Sequence, residues 1–220
     1  MVLEYSGQIV SIIGASYFVP ISLLIEKLVE LPKLSKNQVQ VSSMENGHSA
    51  SIILLLVSMF ESYVMRVRYI NRQNVPIERG QVVPFIQNLY PDYDKIVELT
   101  EVFVVRDVIA HNHLWEIDYS IGEDPSMSIN AAKKEPSAGD RKYRGSVKPE
   151  TMETTYLRLN VNPIKISRLD AYKVFEIIWE TLLFFEKKNK NQCYVSILPV
   201  RFKDKNRVFG DLRTEIKNSL

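Results

Sequence analysis

From Ser49 to Arg72 the apolar residues Ile53, Leu56, Phe60, Tyr63, Val67 and Ile70 recur at steps of three and four. A helix of about 3.6 residues per turn brings such positions to one side. The first half of the stretch is apolar almost all round, which predicts a central helix of a bundle. Its second half carries Arg66, Arg68 and Arg72, expected on the outside.

A central helix needs partners, and three further stretches qualify. Residues 21–31 hold Ile21, Leu24, Ile25 and Leu28 at helical spacing, with Pro20 near the first turn. A helix over 92–113 has Asp92 as its N-cap and Asp94 in its first turn. Its buried side is Ile96, Leu99, Val102 or Phe103, and Ile109 or Ala110. A helix over 167–188 opens with Ser167 as N-cap and Asp170 close behind. It presents Leu169, Tyr172, Val174, Phe175, Ile178, Leu182 and Phe185 as a broad apolar face, and Lys187, Lys188 and Lys190 suit its C-terminal dipole. Residues 81–89 suggest a shorter helix interrupted by Pro84. The frame is therefore mainly α, with four main helices.

Between the third and fourth helices the period changes. Residues 115–121 and 156–161 alternate apolar and polar, as strands do. The simplest pairing is an antiparallel hairpin whose tip is a long, mobile loop over 122–150. Residues 32–48 and 73–80 read as connections, 194–202 as a C-terminal strand, and 203–220 as a polar segment without a clear pattern. The expected organisation is one domain over 1–220, with an insertion at 114–166 and an extension at 190–220.

The net charge of +2 excludes a chain that binds nucleic acid by its overall charge, so any RNA contact needs a local patch. Such a patch is offered by Lys133, Lys134, Arg141, Lys142, Arg144 and Lys148, with Tyr143 among them; the alternative is a solvated loop. Cys193 is the only cysteine, which rules out an internal disulfide and a cysteine zinc site and suits a reducing compartment. Beside Tyr194 and Val195 it reads as a packed residue. Residues 5–25 carry no charge, but Ser6, Gly7, Gln8, Ser11, Gly14, Ser16, Pro20 and Ser22 interrupt them. The preceding residues hold Glu4 and no Lys or Arg, unlike a signal peptide. The expectation is a cytoplasmic protein with no membrane segment.

The chemistry concentrates where the third helix ends, at Arg106-Asp107-Val108-Ile109-Ala110-His111-Asn112-His113. At about 100° per residue, with Arg106 at the origin, Asp107 lies near 100° and His111 near 140°. Asp107 and His111 thus share a face as an i, i+4 pair, and a carboxylate there can orient the imidazole. The long Arg106 side chain reaches the same face from its edge. A guanidinium binds phosphate oxygens in pairs, and an imidazole moves protons near neutral pH. Together they suffice for attack of an RNA 2′-hydroxyl on its neighbouring phosphate, without a metal. His111 and His113 point about 200° apart on a helix, so they do not converge on a metal. His48 falls in a loop and has no role in this reading.

Arg106 to His111 resembles the R-x4-6-H motif of HEPN domains, with Asp107 as the polar residue that follows the Arg. The apolar helix holding Phe60-Glu61-Ser62-Tyr63 is similar to that family's preceding core helix, where Glu61 would be the acidic residue. The resemblance covers roughly 49–113 and 167–189. It implies a four- or five-helix bundle; the inserted β-hairpin and the short C-terminal strand, read from the alternation above, lie outside it. It also implies a metal-independent endoribonuclease needing no cofactor, acting in a toxin–antitoxin, phage-defence or RNA-processing setting. Arg106 and His111 would be catalytic, with Asp107, Asn112, His113 and Glu61 in support. The implied partners are RNA, a second copy of the chain facing the motif, and an antitoxin protein. Some members of the family keep the fold and only bind, so a non-catalytic nucleotide-, nucleic-acid- or protein-binding module is the other expectation. The same residues also read as an ordinary solvated helix end, where Arg and His suit the dipole.

Overall fold

The 26-residue helix Glu45–Ile70 is the axis on which the other long helices pack. In the computed structural model, the residues described are 13–33, 44–73, 81–111, 115–121, 127–134, 141–190 and 193–220, of which 115–121 and 127–134 as backbone only. The helices are α1 (Phe18–Glu30), α2 (Glu45–Ile70), α3 (Val82–Leu89), α4 (Ile96–Ala110), α5 (Arg141–Ser146), α6 (Arg168–Lys188) and α7 (Leu212–Asn218). The strands form three two-stranded antiparallel ladders: β1 (Trp115–Ile121) with β2 (Met127–Lys134), β3 (Val147–Lys148) with β4 (Glu153–Thr154), and β5 (Pro199–Phe202) with β6 (Lys205–Val208). The protein is mainly helical.

Helix α2 packs against α1, α4 and α6, and Ile52, Ile53, Leu56, Val57, Met59 and Phe60 are completely buried. Among the described residues it is also the one helix long and apolar enough to cross a membrane, and here it serves as a core helix. It begins four residues before the sequence pattern suggests, because Glu45 is held in the core: its carboxylate accepts the Arg168 N–H at 2.8 Å and pairs with the Arg168 guanidinium at 2.9 Å. His48 therefore lies in the first turn of α2, not in a loop. The outward placement expected for Arg68 is overturned. It lies four positions after Val64 on the buried face, donates to the Gln81 carbonyl and stacks 4.6 Å from the Phe85 ring centre.

Two prolines stand inside first turns. Pro20 is the third residue of α1 and Pro84 the third of α3, so neither removes a hydrogen bond that the helix needs, and Pro84 does not interrupt α3. The start expected at Asp92 moves to Lys95. A turn that donates the Tyr93 N–H to the Tyr90 carbonyl buries Tyr93 against Thr181 of α6, and Asp92 pairs with Lys188 at 2.6 Å. Helix α4 is buried on more sides than its apolar stripe suggests: Val104, Val105 and Val108 are in the core, while Ala110 is exposed. In α6 the Ser167 N–H and hydroxyl both donate to Asp170 at 2.8 Å, as the expected N-terminus requires. Leu169, expected on the apolar face, is 41% exposed.

The expected hairpin of 115–121 with 156–161 is replaced. Residues 115–121 pair with 127–134 in the register Trp115↔Lys134 to Ile121↔Met127, broken by an irregularity after Asp118. A partner five residues away costs less loop-closure entropy than one beyond a long tip. Residues 155–157 instead form a turn, Arg158 follows with φ 54°, outside the strand region, and Asn160 makes an isolated antiparallel bridge to Glu153. The alternation over 156–161 reflects Leu159 and Val161 reaching the core while Tyr156 is 67% exposed. The long loop expected over 122–150 contains β2, α5 and β3.

The C-terminal segment is part of the core. Phe209 stacks on Phe18 of α1 with ring centres 4.0 Å apart and meets Phe175 and Trp179 of α6. Leu212 and Ile216 of α7 are fully buried. The strand expected over 194–202 shrinks to β5 and continues through a hairpin into α7, correcting the view of 203–220 as patternless. Beneath α7, Arg168 gathers three carbonyls: Ser219 at 3.1 Å, Leu31 at 3.1 Å and Pro32 at 3.3 Å.

Candidate functional site

Arg106 and Asp107 lie near the C-terminal end of α4, and Glu61 faces them from α2. The Arg106 Nη2 donates to Glu61 Oε1 at 2.8 Å, a cross-helix ion pair between residues 45 positions apart. Asp107 Oδ1 lies 3.3 Å from Arg106 Nε, close enough for charge attraction but without hydrogen-bond alignment. The guanidinium carbon stands 5.3 Å from the centre of the buried Phe103 ring, one turn back on α4. Arg106 is therefore fixed by a carboxylate from each of two helices and by a ring beneath it, and its side chain still keeps 26% of its surface exposed.

Helix α5 brings a second cation. It packs on α4, and Lys142 Nζ lies 3.9 Å from Asp107 Oδ2. The position of α5 follows from what comes after it. Val147 is buried, the Ser146 carbonyl accepts the Thr155 N–H at 2.9 Å, and β3 pairs with β4. Partial desolvation lowers the pKa of Lys142, with Asp107 opposing and Arg106 reinforcing that shift.

A further residue was not singled out from the sequence. Glu101, five positions before Arg106, is 1% exposed. Its two carboxylate oxygens accept the backbone N–H groups of Tyr156 and Leu157, each at 2.8 Å. It thereby fastens the turn at 155–159 to α4. The signal in the sequence was an acid on the side of an apolar helix that should have carried none.

His111 is exposed and forms the C-cap of α4, its N–H donating to the Asp107 carbonyl at 3.0 Å. The Asp107 side chain turns to Arg106 and Lys142. Among the described residues no hydrogen bond or ion pair joins it to the His111 ring, so the imidazole-orienting contact expected from the i, i+4 spacing is not made. Arg141 and Arg144 lie exposed on α5 beside Lys142. Lys133 and Lys134 belong to β2, whose side chains are outside the description, and Asn112 and His113 lie outside the described residues. The structure thus brings together Glu61, Arg106, Asp107 and Lys142, with His111 at the helix end. Among the described residues no three His, Cys, Asp or Glu side chains cluster as metal ligands would.

Such a set can hold an anion through Arg106 and Lys142 and move a proton through His111. Comparison of the chain with family models, with curated proteins and with solved structures finds no match.

Proposed function

We propose that this chain is a metal-independent endoribonuclease of the HEPN type, with Arg106 and His111 as its catalytic pair. The observation that supports this most is the Glu61–Arg106 pair. It holds a half-buried guanidinium at the end of α4 that also carries the exposed His111. In the reaction, an imidazole takes the proton of a ribose 2′-hydroxyl, and the freed oxygen attacks the adjacent phosphorus. The bond from phosphorus to the 5′-oxygen breaks, and that oxygen leaves with a proton. The products are a 2′,3′-cyclic phosphate and a 5′-hydroxyl. Arg106 stabilises the charge that builds on the phosphate oxygens. A homodimer joined at the motif face would place two imidazoles at one cleft and divide the two proton transfers between them. A toxin or defence setting with an antitoxin partner fits an enzyme of this kind.

The second reading is a non-catalytic binding module. It is favoured by the two carboxylates, Glu61 and Asp107, which hold Arg106 as a structural bridge would. One assay separates the two. RNA cleavage by the purified protein is expected to persist in EDTA and to fall by about a hundredfold or more in Arg106→Ala and in His111→Ala. Folded variants that cut at the wild-type rate would remove the catalytic reading.

A further inference from the structure

The insertion lowers a second cation onto the motif. Lys142 Nζ and the Arg106 guanidinium carbon each stand 5.3 Å from the centre of the Phe103 ring. Two cations from different helices thus share one aromatic side chain. Among the described residues, the carboxylate beside both is Asp107, 3.3 Å from Arg106 Nε and 3.9 Å from Lys142 Nζ. The longer distance is an ion pair without a hydrogen bond, so the ammonium donors of Lys142 have no hydrogen-bond acceptor among the described residues. Glu61 engages only Nη2 of Arg106. Both side chains remain open to solvent, Lys142 at 43% and Arg106 at 26%.

Glu61 and Asp107 balance the two cations, yet each cation keeps part of its surface open to solvent. The pKa of Lys142 is lowered mainly by burial, with Asp107 opposing that shift and Arg106 adding to it. An anion with several oxygens can meet both groups at once, the guanidinium as a fork and the ammonium as a point charge. Asp107 steadies the pair from one edge.

We propose that Lys142 and Arg106 together grip one backbone phosphate of RNA, the one at the bond to be cut. Lys142 is then a substrate-binding residue supplied by the insertion. This deepens the ribonuclease reading and rests on it for the identity of the phosphate.

The test uses the full chain and an oligoribonucleotide in two forms, unmodified for cleavage and 2′-O-methylated throughout for binding. In Lys142→Ala, Kd for the blocked RNA and KM for the unmodified RNA are expected to rise about tenfold. The slope of log Kd against log salt should fall by about 0.7, the value for one phosphate contact on a single strand. The value of kcat should fall as well, by about tenfold, because charge builds on the same phosphate oxygens that Lys142 contacts. Lys142→Arg should recover most of the affinity. Wild-type Kd, KM and salt slope in a Lys142→Ala protein that still cuts would overturn the assignment of Lys142 and leave the nuclease standing. Binding of blocked RNA that depends on Lys142, in a wild-type protein that cuts nothing, would support the grip and remove the nuclease. A wild-type protein that neither binds nor cuts would overturn both.

Discussion

Burial pushes the Cys193 thiol up to about 12, with nearby Glu186 adding to the shift and Arg66 opposing it. Cys193 is 1% exposed and its Sγ points at the Leu182 carbonyl, so the packed residue read from the sequence is what the structure holds. The unfolded thiol ionises near about 8.5, and the folded one stays neutral well above that. A raised folded pKa gives stability that is complete below the unfolded value and is lost as pH climbs towards the folded one. At about pH 10 the loss from this one group should be about 2 kcal/mol. Urea midpoints measured near neutral pH and at about pH 10 should show a larger drop for wild type than for Cys193→Ala. Equal drops would show that the thiol does not titrate this way. Other single residues were less readable. Arg66 and Arg68 look alike in composition, and the Gln81 carbonyl and Phe85 ring that receive Arg68 on the Val64 face come from a segment the local pattern does not show. The Glu61–Arg106 pair joins residues 45 positions apart, so no local pattern could reveal it. Arg106 and His111 could be singled out because both lie on one helix, at a spacing whose chemistry is local.

Among the elements, α4 carries the motif and also fastens the insertion. Through Glu101 it holds the Tyr156 and Leu157 amides. Through Asp107 and Phe103 it meets Lys142 of α5. Glu101→Ala takes the acceptor from the part-buried Tyr156 and Leu157 N–H groups, each loss costing about 1–1.5 kcal/mol. The expected result is a loss of about 2–3 kcal/mol in global stability, with hydrogen exchange at the Tyr156 and Leu157 amides accelerating first. Amides that stay protected in this variant would contradict the role given to Glu101. The long helices α2 and α6 were legible because periodicity accumulates over many residues, and the Ser167–Asp170 start of α6 has a local signature. Strand pairing was not legible. Alternation marks 115–121 and 156–161 equally, and it cannot show that Arg158 takes a left-handed φ of 54° or that β2 lies nearer.

Across the whole molecule, the described helices share one apolar core, and the C-terminal segment closes it. Phe209 is completely buried between Phe18, Phe175 and Trp179. Phe209→Ala should cost about 3–5 kcal/mol, the range for emptying a buried aromatic site. Calorimetry or urea denaturation measures it, and a loss under about 1 kcal/mol would mean that the segment only covers the core. The signal for this closure was present but short: Phe209, Leu212 and Ile216 recur at steps of three and four among charged neighbours. A helix of seven residues repeats its period too few times to stand out.

The Arg168 guanidinium clasps the carbonyls of Leu31 and Pro32 on one flank and of Ser219 on the other. A polymer pinned in this way behaves as a closed ring, and neither flank can fray without breaking the same knot. The exit of α1 and the far side of α7 should therefore open as one cooperative unit, although nearly the whole sequence lies between them.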